Sequence, residues 1–86
     1  MKVSKVIQVI AWFDEKGKIR PVKFRYEDEG ELRVIVIDEI LNREFKKLGG
    51  NPTWTFTCTS TNNEIKSIYD IKYDPLSNRW VLFFKN

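Results

Sequence analysis

The chain has 86 residues, of which 15 are basic and 12 acidic, giving a net charge of +3. So short a chain hides roughly 60 to 65% of the surface it exposes when unfolded, so residues 1–86 are expected to form one domain around a modest core. The near balance of charge argues against a strongly basic nucleic-acid binder, the lack of histidine removes Ser-His-Asp and Cys-His catalysis together with imidazole metal sites, and the single Cys58 has no partner for an internal disulfide.

The opening Met1-Lys2-Val3-Ser4-Lys5 leads into an apolar run that Gln8 interrupts and no small-residue cleavage site follows. It is expected to be neither a signal peptide nor a membrane span, which needs about 20 apolar residues. From about Ser4 to Phe13 the run reads as a first strand, with Val6, Ile10 and Trp12 on one face and Ile7, Val9, Ala11 and Phe13 on the other. Both faces are apolar, which predicts a strand that is central or covered on both sides. Asp14-Glu15-Lys16-Gly17 turns the chain into a second strand, Lys18 to Tyr26, whose inward set is Val22, Phe24 and Tyr26. Pro21 donates no amide hydrogen, so this strand is either an edge or bulged there.

Glu27-Asp28-Glu29-Gly30 makes the next turn, and Leu32, Val34 and Val36 open a third strand whose opposite face carries Arg33, Ile35 and Ile37. Residues 38–50 admit two readings. Asp38 has the chemistry of a helix cap and Gly49 that of a helix stop, but Ile40, Leu41, Phe45 and Leu48 make only a fragmentary helical stripe. The favoured reading is a strand that bends on through Ile40 and Leu41 and then gives way to a loop, with Asn51-Pro52 as a turn; the alternative is one short helix.

Alternation is complete from Thr53 to Thr61, with Trp54, Phe56 and Cys58 on one side and five threonines on the other, which read as its solvent face. After a turn at Thr61-Asn62-Asn63-Glu64, Ile65, Tyr69, Ile71 and Tyr73 share a face of the fifth strand. A turn containing Pro75 precedes the last strand, Arg79 to Lys85, with Trp80, Leu82 and Phe84 inward. Six short antiparallel strands leave two open edges unless the sheet rolls up. The expected fold is therefore all-β, or mainly β with one short helix: a six-stranded antiparallel barrel or coiled sheet, SH3-like in preference to OB-like because no long helix interrupts the middle strands.

Pro21-x-x-Phe24-x-Tyr26, then Val36-x-x-x-Ile40-Leu41 and the closing Arg79-Trp80-Val81-Leu82, resemble a pattern of short bacterial β-domains, some encoded beside proteins related to Y-family DNA polymerases. The resemblance runs from about Gly17 to the C-terminus and departs from the pattern at Tyr26, where tryptophan is expected. It implies an accessory role in DNA transactions and carries over no catalytic residue.

Chemistry in the residues themselves is sparse. Cys58, beside Trp54 and Phe56, reads as a small buried hydrophobe, and Glu39, Glu64, Asp70 and Asp74 sit in no constellation that would tune a carboxylate for catalysis. Gly49-Gly50 lacks the spacing of a phosphate loop. No enzymatic activity, cofactor or metal is expected, and the single cysteine suits a reducing compartment such as the cytoplasm.

What remains is binding. Lys18, Arg20, Lys23 and Arg25, with no acid among them, are the residues expected to meet an electrostatic partner. Twelve aromatics (three Trp, three Tyr and six Phe) exceed what so small a core holds. Two functions compete: a protein-interaction module or accessory subunit, and a weak DNA- or RNA-binding barrel in which bases stack on rings. Homo-oligomerisation through an edge strand is a third possibility for the same surfaces. The tryptophans discriminate: rings exposed on the face of the cations favour nucleic acid, an uncharged aromatic patch favours protein.

Overall fold

Residues 4–84 are described by a computed structural model. Seven strands follow one another: β1 (Ser4–Phe13), β2 (Ile19–Asp28), β3 (Glu31–Val36), β4 (Glu39–Leu48), β5 (Asn51–Asn62), β6 (Ile65–Asp74) and β7 (Arg79–Phe84). All pair antiparallel in one sheet of order β3-β2-β1-β7-β6-β5-β4, and no helix occurs among the described residues. The sheet is strongly curled into a half-barrel, because two chain segments each serve two halves of it. Ser4 to Ile7 of β1 pairs with β7, whereas Gln8 to Phe13 pairs with β2. At the opposite corner the chain leaves β3, which pairs with β2, and continues into β4, which pairs with β5. The bend is pinned by Ile37 N–H donating to the Val22 carbonyl (2.9 Å) and Asp38 N–H donating to the Thr59 carbonyl (2.8 Å).

The segment 38–50 corrects the expectation of a bend followed by a loop. It is a ten-residue strand ending in a two-residue turn at Gly49-Gly50, whose φ values of 56° and 85° suit a tight hairpin of type I′ geometry. Leu41 falls where the β4–β5 register slips between Ile40 and Asn42, and this bulge breaks the alternation that would have marked a strand. Asn51-Pro52, expected as a turn, instead opens β5, with Asn51 opposite Leu48 and Pro52 opposite Lys47.

Pro21 resolves as the bulge rather than the edge: β2 lies between β1 and β3, and Val22 is the extra residue where the register shifts. The core lies in the hollow of the curl and consists of Ile7, Ile19, Phe24, Phe56, Ile71, Tyr73, Trp80 and Leu82, with Val9, Ala11, Ile35 and Ile37 packed against it. A continuous row of rings runs through it, Phe13–Tyr73–Trp80–Phe56–Trp54–Phe45, with centroids 4.7 to 6.1 Å apart and the two end rings, Phe13 and Phe45, exposed. The side chain of Phe84 lies outside the described residues.

Two expectations about faces change. β1 is central, but only one of its faces is covered: Ile7 is buried, while Val6, Ile10 and Trp12 are 67%, 58% and 64% exposed. The threonine row is not a uniform solvent face either. Thr53, Thr55 and Thr57 are half-buried, Thr59 is buried beneath the β3–β4 bend's attachment to β5, and only Thr61 is exposed.

Candidate interaction face

Strand registers place one exposed face across β1, β2 and β3. Arg25 stands between Gln8 and Val34, Lys23 stands between Ile10 and Val36, and past the bulge Arg20 stands beside Trp12. Because directly opposed residues in an antiparallel pair share a face, Arg25, Lys23 and Arg20 form a column of cations. On one side it is flanked by Leu32, Val34 and Val36, on the other by Gln8, Ile10 and Trp12. The bulge at Val22 keeps Arg20 in this column, since the extra residue restores its phase.

The apolar side chains of both flanks are more than half exposed: Leu32, Val34 and Val36 lie between 55% and 59%, Ile10 at 58% and Trp12 at 64%. A groove of about 440 Å³ runs through the face, lined by the side chains of Gln8, Ile10, Lys23, Arg25 and Val34, with Val9 and Phe24 at its floor. The Arg25 guanidinium is held there by a hydrogen bond from Nε to the Gln8 side-chain oxygen.

Ion pairs among the described residues join Lys5 and Arg33 to Asp28, Arg33 to Glu31, and Lys46 to Glu44. None involves Lys18, Arg20, Lys23 or Arg25. The acidic turn after β2 is thus occupied with Lys5 and Arg33 at the far end of the hairpin and leaves the cation column unneutralised; Glu27, opposite Leu32, marks where that column ends. Of the four cations named from sequence, three are brought together. Lys18 sits in the β1–β2 turn, its backbone N–H bonded to Asp14 Oδ1, at the rim.

The tryptophans divide. Trp12 shares the exposed face with Arg20, whereas Trp54 is half-buried and Trp80 buried in the hollow. Apart from Trp12, the apolar side chains of the face are aliphatic. Its existence was missed in the two-sided apolarity of β1, which reads as burial on both sides. No signal in the sequence marks it: Ile10 stands opposite Lys23 and Trp12 opposite Arg20 only through the register that the bulge at Val22 sets, and an unpaired cation is too costly to bury, which fixes this face as the open one.

Elsewhere chemistry is muted. Cys58 is fully buried, its Sγ 3.7 Å from the Tyr69 carbonyl, and burial, with a smaller contribution from Asp70, pushes its thiol up to about 11. Arg43 lies over the Phe56 ring and donates to the Ile19 carbonyl, so it braces β4 against the start of β2. Thr57 donates to Asp70 at 2.8 Å across β5 and β6. Among the described residues no group of three or more acids or cysteines could hold a metal ion. Compared with protein-family models, curated proteins and solved structures, the chain has no match.

Proposed function

We propose that this domain is a non-enzymatic docking module that binds an acidic, apolar protein surface through the open face of β1, β2 and β3. The observation that carries this reading is the cation column Arg20-Lys23-Arg25 set between two columns of exposed apolar side chains. Each Val, Leu or Ile of that face, a little over half exposed, stands to contribute about 1 kcal/mol when covered. Cations that make no ion pair among the described residues select a partner that brings carboxylates and disfavour one that brings its own cations. Aliphatic side chains offer no flat π surface to a base, so the face is better matched to protein than to nucleic acid.

A second reading, a weak nucleic-acid-binding barrel assisting a repair or replication protein, draws support from Trp12 beside Arg20 and from the resemblance noted above. An SH3-like arrangement is supported by the long bent run of β3 and β4, which passes between sheet halves with no helix. A reducing, cytoplasmic setting accords with the single buried thiol.

The test is affinity capture from the native cell with three baits: the natural chain, Lys23→Glu/Arg25→Glu, and Ile10→Ser. The docking reading expects a shared set of proteins lost with both variants and retained after nuclease treatment. Proteins held equally by all three baits, or released by nuclease, would overturn it.

A further inference from the structure

The two edges of the sheet are protected unequally. β4, at one edge, has the bulge at Leu41 and carries Arg43, Glu44, Lys46 and Lys47, features that discourage another strand from pairing. β3, at the other, has no lysine, no proline and no bulge; of its two charged residues, Arg33 is held by Asp28 and Glu31. The phase of its hydrogen bonding is set by Ile37 N–H donating to Val22. In an antiparallel ladder alternate residues turn their backbone groups to opposite sides, so Glu31, Arg33 and Ile35 bond to β2 while Leu32, Val34 and Val36 direct theirs to the open edge. The same three residues expose their side chains on the face described above.

We infer that the β3 edge is a self-association site, where β3 of a second copy of this chain pairs antiparallel about Val34. The match to a second copy rests on symmetry. Pairing centred on Val34 sets Val34 against its own counterpart and Leu32 against Val36, so the aliphatic column doubles. On the reverse face Arg33 meets Ile35, and no like charges are opposed. The cation columns on the two β2 strands end about 14 Å apart, three strand spacings, which exceeds the Debye length of about 10 Å at ordinary salt. A face-to-face dimer, by contrast, would press Lys23 and Arg25 against their copies. The edge-to-edge dimer leaves the docking face open and makes it continuous across the two-fold axis, so it stands or falls independently of the docking partner.

Sedimentation velocity on the full chain over a range of concentrations tests the inference. The natural chain is expected to form a dimer. Val34→Lys, which opposes a charge to itself at the axis, is expected to remain monomeric with an unchanged circular dichroism spectrum. Val34→Cys gives the register: opposed residues of a hydrogen-bonded pair lie about 5.5 Å apart between Cα atoms, within disulfide reach. Under mild oxidation it is expected to cross-link, while Leu76→Cys, more exposed but outside β3, is not. A natural chain that stays monomeric at every concentration, a Val34→Lys variant that still dimerises, or equal cross-linking by the two cysteine variants would overturn it.

Discussion

Trp12 stands directly opposite Arg20 in the β1–β2 ladder, and both side chains lie on the exposed face of the sheet. A guanidinium beside an exposed indole attracts anions to it. Iodide is therefore expected to quench the protein's tryptophan fluorescence more strongly than caesium at equal ionic strength. Trp12→Phe should remove most of the quenchable emission, because Trp80 is buried and Trp54 half-buried. Equal quenching by the two ions, or quenching that survives Trp12→Phe, would contradict the placement.

Cys58 is expected to react slowly with thiol reagents in the native protein and promptly once unfolded, since only the thiolate is nucleophilic and burial suppresses it. The same burial gives a pH dependence. With the thiol raised from 9.0 to about 11 in the folded chain, the folded state keeps a proton that the unfolded state has lost. Its contribution to stability is fully present below about pH 9 and declines as pH rises towards 11. Chemical denaturation should show stability falling across that window, with a shallower fall in Cys58→Ala; Tyr26, also raised by burial, contributes in the same direction.

Thr59 Oγ1 is buried and has no hydrogen-bond partner among the described residues. Leaving a hydroxyl unsatisfied costs about 1 to 3 kcal/mol, whereas an isosteric apolar group there costs little. Thr59→Val is expected to raise the denaturation midpoint by an amount worth about 1 kcal/mol. A destabilised variant would show that the hydroxyl has a partner in solution.

The β5–β6 hairpin turns through Asn63 and Glu64, both at positive φ (50° and 65°). Glutamate holds that conformation at a cost of about 1 to 2 kcal/mol, and Asn-Gly is the preferred pair for such a turn. Glu64→Gly is expected to stabilise the protein slightly, the gain reduced by the extra freedom glycine brings to the unfolded chain. At Gly50, φ 85°, the reverse change to alanine is expected to cost about 1 kcal/mol. Thermal melts of the two variants shifting in the same direction would contradict this.

Alternation or an apolar run between turn residues was enough to locate β1, β2, β3, β5, β6 and β7, although β1 is apolar on both faces and shows no clean period of two. It failed at β4, where the Leu41 bulge interrupts the period and Arg43 stands on the inner face, stacked on Phe56 and bonded to the Ile19 carbonyl. A cation satisfied by a ring and a backbone oxygen looks, in sequence, like a solvent residue. The burial of Thr59 was illegible for a related reason: it depends on the return of the chain at Asp38, a contact between residues far apart in sequence. The cation column was visible as a run of basic residues, but its apolar flanks were not. They come from β1 and β3, and only the register shows that Ile10 and Val36 bracket Lys23.

The most direct test of the docking face is photo-cross-linking in the native cell, with a benzophenone side chain introduced at Ile10 and, as a control, at Ile65, a more exposed position in the β5–β6 hairpin. The account predicts a protein adduct from Ile10 that is absent from Ile65 and lost when Lys23 and Arg25 are both reversed to glutamate. Adducts that form equally from both positions, that persist in the reversed variant, or that consist of nucleic acid would contradict it.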